Sequence, residues 1–145
     1  MMYSQFFVRL AVATAFLSAV ADRLGFWGAP GTANASWGNW ANFVAYSDQL
    51  NFFAPASIGS LLAIGATILE VVLALLLLIG YRTRFAALSS GILLTVFALT
   101  MTLSFGIKVT FNYSVWVGAS ACFLLGSYRD FPFSFDRLMK KNQKK

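Results

Sequence analysis

The sequence predicts an all-α integral membrane protein, a four-helix bundle with an amphipathic, aromatic-rich outer segment between spans 1 and 2. Three observations carry this. Of 145 residues, 59% are hydrophobic and only 11% charged. The apolar residues gather into four runs, about 6–27, 56–79, 85–106 and 111–127. One carboxylate, Glu70, sits deep inside the second run. A chain so apolar falls outside the range of soluble domains, and its runs approach the ~20 residues that cross a bilayer as helix. They are too long and too unalternating for barrel strands, and helices are the other structure that satisfies its own backbone in lipid. Nothing marks a second domain or a repeat, so 1–145 reads as a single membrane domain with a basic tail, 129–145.

The first run holds Arg9, the apolar stretch Leu10 to Ser18 and the small residues Ala19-Val20-Ala21, which also have the shape of a cleavable secretory signal. Phe6 and Phe7 precede the arginine, and apolar character resumes at Leu24 to Trp27, so the run is read as a retained span. Between it and the second run, residues 28–55 are rich in Gly, Asn, Ser and aromatics. Trp37, Trp40, Phe43, Tyr46, Leu50 and Phe53 recur there at spacings of three or four, which lines one face of a short helix. Two roles fit that face. It can lie at the headgroups as an interfacial helix, or it can cover the outer mouth of the bundle and stack on a flat ligand. The remaining spans are joined by the short links 80–84 and 107–110.

Charge orients the bundle. With four spans, nine of the eleven basic residues fall on the side of the termini, leaving Arg23 and Lys108 opposite. The positive-inside rule then predicts a multi-pass protein of the inner (cytoplasmic) membrane with both termini in the cytoplasm. The net charge of +6 does not point to nucleic acid, because five of the basic residues (Arg137, Lys140, Lys141, Lys144, Lys145) occupy the last nine positions. Such a tail beside a membrane helix reads as an orientation signal or an anionic-lipid contact. No histidine and a single cysteine, Cys122, exclude an internal disulfide, a dithiol pair and a self-contained metal site. No intrinsic cofactor is expected, and neither is an enzyme complete in itself.

Glu70 is the leading functional candidate. An ionised carboxylate mid-membrane costs roughly 2.5 to 3.5 kcal/mol on insertion scales, so protonation, a partner or a polar cavity must offset it. Helical spacing puts it on one side of its span with Gly59, Ala63, Ala66, Thr67 and Ala74, away from Ile64, Ile68, Val72, Leu75 and Ile79. Glu70 therefore faces protein. Small-residue stripes in the other spans (Ala11, Thr14, Ser18, Asp22; Gly91, Thr95, Ala98, Thr102; Ser114, Gly118, Cys122, Gly126) predict the packed faces. Depth at 1.5 Å per residue puts the hydroxyls of Thr95 and of Thr14 to Ser18 level with Glu70, whereas Arg9 lies nearer the cytoplasmic end and reaches it at most through water. The candidate ligand-binding set is Glu70, Thr67, Thr95, Arg9, Thr14 and Ser18, with Trp40 and Phe43 from the loop. Desolvation is expected to keep Glu70 neutral at pH 7 unless a cation approaches.

Several motifs occur together: Phe7-Val8-Arg9-Leu10 opening the first span, Glu70 followed by Leu77 to Arg84 (LLIGYRTR), and a terminal Ser134-Phe135-Asp136. With Trp37 to Trp40, Phe43 to Ser47 and Gly106 to Lys108, they make the chain resemble the DoxX family of small four-helix bacterial membrane proteins. The resemblance implies a redox-associated component, since such relatives include a subunit of a thiosulfate to quinone oxidoreductase and members proposed to support thiol homeostasis. It implies Arg9 and Glu70 as hallmark positions. Asn112-Tyr113-Ser114 departs from an acidic residue expected there, and Asp22-Arg23 from a glycine and lysine pattern. The function expected is binding of a hydrophobic small molecule such as a quinone, or docking to a redox partner protein. A proton-coupled carrier of small solutes and a non-catalytic scaffold or assembly factor are the alternatives.

Overall fold

The computed structural model describes residues 2–142; Lys144 and Lys145 of the basic tail lie outside them. Every regular element among the described residues is helical. In chain order they are α1 (Met2–Arg23), α2 (Trp40–Leu50), α3 (Ala56–Ile79), α4 (Thr83–Phe105), α5 (Ile107–Asn112), α6 (Val115–Ser127) and α7 (Phe135–Asn142). Three helices, α1, α3 and α4, are long and apolar enough to cross a membrane, and α6 is a shorter apolar helix of 13 residues. At 1.5 Å per residue α6 measures ~20 Å, less than the hydrocarbon thickness. Pairing of α1 with α3, α3 with α4, α4 with α6 and α6 with α1 closes a four-helix bundle.

Small residues set how closely the helices approach. Ala13, Ala74, Ala86, Ala87 and Cys122 are fully buried around Phe16, Leu73 and Leu77. Gly91 lies under the Phe123 ring and Gly126 against Leu88, so a methyl group at either would collide with that side chain. This is the packing by which membrane helices associate without a hydrophobic driving force between them. Outside, Ile64, Ile68, Val72, Leu75 and Ile79 of α3 are exposed, while Ala63, Glu70 and Ala74 are buried. The predicted faces of α3 are the observed ones.

Two expectations differ from the structure. The run 111–127 is not one helix: it breaks at Tyr113-Ser114, where Ser114 adopts a left-handed backbone (φ 53°). Asn, Tyr and Ser are weak helix formers, and the Trp116 indole donates across the break to the Thr110 hydroxyl at 3.0 Å. In α1 the small-residue stripe is not the packed face. Ala11 and Thr14 are exposed, and the Thr14 hydroxyl satisfies itself on the carbonyls of Leu10 and Ala11. The buried face carries Arg9, Val12, Ala13, Phe16, Val20 and Arg23. A hydroxyl that bonds its own helix tolerates lipid; a guanidinium does not, so the two arginines decide which face turns inward.

At the end that carries the termini, Arg9 is 1% exposed. Side chains lean toward the N-terminus of their helix, which brings its guanidinium to the last turn of α3. It donates to the carbonyls of Leu77 (2.9 Å) and Leu78 (3.1 Å), and to those of Pro132 (3.2 Å) and Phe133 (3.0 Å) ahead of α7. A cation on the orphan carbonyls of a helix C-terminus also complements the helix dipole. Gly80, in a left-handed conformation (φ 72°), leaves room for it, since a Cβ there would strike Arg9 and Ser134. Asp136 completes the clasp by accepting from the N–H groups of Arg82 and Thr83, both at 2.7 Å, at the start of α4. The Ser134-Phe135-Asp136 motif thus closes the α3–α4 turn onto α7.

Replacing Arg9 by Met should strand these carbonyls and lower unfolding stability in detergent by about 3 kcal/mol. Arg9→Lys should recover only part, because an ammonium lacks the fork that reaches two chain segments. An unchanged midpoint in circular-dichroism melts of Arg9→Met would refute this assignment.

Candidate functional site

The opposite end is organised by the consecutive residues Asp22 and Arg23 at the close of α1. The same lean toward the N-terminus folds Arg23 back into the bundle. Its Nη2 donates to Glu70 Oε1 at 3.0 Å, and its Nη1 donates to the Thr67 hydroxyl at 2.7 Å. Nη1 also lies 2.5 Å from Glu70 Oε2, a charge contact that lacks hydrogen-bond alignment. The Thr67 hydroxyl in turn donates to the Ala63 carbonyl at 2.8 Å. Glu70 is 2% and Arg23 3% exposed, and the Arg23 Nε–H is buried with no acceptor among the described residues.

An aromatic roof covers the pair. The Phe43 ring lies over the guanidinium, 3.9 Å from centroid to Cζ, and Trp37 lies at 5.5 Å. Desolvated cation–π contacts of this kind contribute about 2 kcal/mol. Trp37 and Trp40 pack against Phe43 at 5.1 and 5.5 Å, and Tyr46 stacks on Phe105 of α4 at 5.4 Å. Burial, with the nearby Tyr113 adding to it, holds the Tyr46 phenol above its usual range. The ring is therefore neutral and serves as packing.

Local chemistry holds the roof in place. The Asp22 carboxylate accepts from three successive backbone N–H groups, Ser36 (2.9 Å), Trp37 (3.0 Å) and Gly38 (3.3 Å). Gly38 is left-handed (φ 68°) and so close to the backbone of Ala29 and Pro30 that no Cβ fits. Asn39 then caps α2 by accepting from the Asn42 N–H at 2.8 Å. One helical turn after Phe43, the buried Ser47 donates to the Gly59 carbonyl at 3.4 Å, tying α2 to α3. The Trp37-Gly38-Asn39-Trp40 and Phe43 to Ser47 motifs are the hinge, cap and contact face of this cover.

Of the residues singled out in the sequence, the structure gathers Glu70, Thr67 and Phe43, with Trp40 at the rim. It does not bring the others to them. Arg9 belongs to the clasp at the far end of α3. Thr95 donates to Gly91 of its own helix at 2.8 Å, and Thr14 faces outward. Ser18 contributes its carbonyl to the Trp27 indole at 3.0 Å. The partner of Glu70 is thus the Arg23 cation and not a hydroxyl of α1 or α4, and the neutral carboxyl expected without a nearby cation gives way to an ion pair. Trp37 belongs to the aromatic face expected over the outer mouth, whereas Asp22 and Arg23 were missed as parts of the site. Their signal was available: Arg9, Phe16 and Arg23 recur at seven-residue spacing on one face of α1, and a long side chain reaches well below its own Cα.

Bundle and sealed charge pair define a multi-pass helical membrane protein with a polar centre beneath its loop end. The family model described as DoxX matches residues 4–103, which contain Arg9, Arg23 and Glu70, and the chain belongs to the DoxX family. Comparison with curated proteins and with solved structures finds no match.

Breaking a buried pair by removing one partner typically costs about 3 to 5 kcal/mol, because a bare charge remains. Glu70→Gln and Arg23→Gln should each destabilise the protein strongly in detergent. The double variant should regain most of the loss, so the double-mutant cycle should give a coupling of at least ~2 kcal/mol. Additive losses would show that the two side chains are not coupled.

Proposed function

We propose that the chain is a redox-associated membrane component of the DoxX type that receives the head of a flat hydrophobic molecule such as a quinone. The receiving centre is Arg23, Thr67 and Glu70 beneath Phe43 and Trp37. The observation that carries this reading is the state of Arg23: a cation buried under a face-on aromatic ring, with one N–H still lacking an acceptor. A carbonyl oxygen is the acceptor that N–H calls for, and the roof offers rings on which a planar head can stack. Electrons must come from an oxidoreductase partner, since the chain has neither a histidine nor a second cysteine.

One observation favours a second reading. With Glu70 2% exposed and Phe43 seated on Arg23, the centre is filled, as a scaffold that uses the pair only to fix helix register would be. A proton-coupled carrier needs water at the carboxylate, which that burial does not favour. The ligand-receiving and scaffold readings separate by ligand-dependent stabilisation, since a molecule that binds only the folded protein raises its melting temperature. A short-chain benzoquinone added to the detergent-solubilised protein should raise the midpoint, and Trp40→Ala with Phe43→Ala should abolish the rise. No rise in the unsubstituted protein leaves the scaffold.

We assign the end bearing the termini, the α3–α4 turn and α7 to the cytoplasmic side of a bacterial inner membrane. Nine of the eleven basic residues support this. Reporter fusions after Arg84 and at the C-terminus should both read cytoplasmic, and a periplasmic signal at either would reverse the assignment.

A further inference from the structure

At the basic end lies a groove that this reading does not use. It encloses about 590 Å³ between the first turn of α4, the end of α6 and the overlying α7, and its rim carries Arg82, Arg84, Arg129 and Lys140. The one carboxylate lining it, Asp136, is already committed to the backbone N–H groups of Arg82 and Thr83. Lys140 donates to the Arg129 carbonyl at 2.9 Å and lies 3.8 Å from the exposed Asp130. Among the described residues, no carboxylate lies within ion-pair distance of the Arg82, Arg84 or Arg129 guanidinium. Three arginines therefore line one open groove, and among the described residues none of their guanidinia is ion-paired. Forked donors of this kind match phosphate oxygens.

Below the cations the wall turns apolar. Phe85 is 62% exposed, Leu88 is partly buried, and Ile92, 59% exposed, continues the same face of α4 toward the middle of the membrane. Because α4 crosses the bilayer from Thr83, the rim sits at headgroup level and this stripe at acyl-chain level. A free anion would use the rim alone. We propose that the groove binds one anionic phospholipid of the adjoining leaflet, its phosphate among Arg82, Arg84 and Arg129 and an acyl chain along Phe85, Leu88 and Ile92. The site belongs to the folded bundle: of the basic tail it takes Arg129 and Lys140 in fixed places, and not the disperse attraction of the tail as a whole.

The test is native mass spectrometry of the full chain in detergent with phosphatidylglycerol or phosphatidylcholine supplied at equal concentration. The protein should retain phosphatidylglycerol in clear excess. Arg84→Gln with Arg129→Gln should weaken that retention roughly tenfold or more and each single exchange several-fold, whereas Lys108→Gln, the loss of one charge at the other end, should leave it unchanged. If the double variant does not fold, as judged by its melting curve, each single exchange must still weaken retention several-fold. Equal retention of the two lipids, an effect of Lys108→Gln as large as that of the groove variants, or stabilisation by inorganic phosphate matching that by phosphatidylglycerol would each overturn the proposal.

Discussion

The ion pair between Arg23 and Glu70 is the constraint from which the loop end of this protein follows. In lipid no water can replace a lost partner, so each charge is tolerable only while the other is in place. The pair holds the last turn of α1 against the middle of α3 and thereby fixes their register. It also requires a cover, because the end of α1 lies where water begins. Phe43 and Trp37 provide one that is apolar toward the bundle and attractive to a cation. The aromatic loop is thus a consequence of putting an arginine at the end of a span.

Arg9 solves the same problem with different chemistry. It meets backbone carbonyls in place of a carboxylate, four of them, supplied by the last turn of α3 and the approach to α7. Helix ends leave such carbonyls unpaired in any case, so this arginine satisfies groups that would otherwise be stranded at the membrane border. The two arginines pin α1 to α3 at both ends. On the other side, α4 and α6 meet through Gly91 and Gly126, by close approach without charge. The cover over the centre is held by the Asp22 turn, by Ser47 on the Gly59 carbonyl and by the Ser104 hydroxyl on the Leu50 carbonyl.

Much of the fold was legible. Run lengths gave the long spans, and the spacing of Ala63, Glu70 and Ala74 gave the buried face of α3. Glu70 announced itself, because a carboxylate amid leucines needs an explanation wherever it occurs. Its partner did not. Counting depth along an axis treats a residue as a point at its Cα, whereas an arginine spans a helical turn and leans toward the start of its helix. Depth counting therefore points to the hydroxyls of Thr14, Ser18 and Thr95 and passes over Arg23 at the end of its span. A hydroxyl in a helix already has an acceptor on its own backbone, as Thr14 and Thr95 show. The break at Tyr113-Ser114 was illegible for another reason: its residues are merely permissive, and the contact across it, from Trp116 to Thr110, is tertiary.

Asp22 and Arg23 were also the positions at which the chain departs from the pattern its family resemblance suggested, and the structure gives the departure a mechanism. Successive residues of a helix point about 100° apart, so one side chain can leave the helix end toward the loop while the next turns into the bundle. Asp22 gathers the N–H groups of Ser36, Trp37 and Gly38, and Arg23 takes Glu70 and Thr67. The chain that Asp22 anchors then supplies Trp37 and Phe43 to the guanidinium of its own neighbour. Cover and centre are joined through two adjacent residues. Any displacement of the loop is therefore felt at the charge pair, and any change at the pair is felt in the loop.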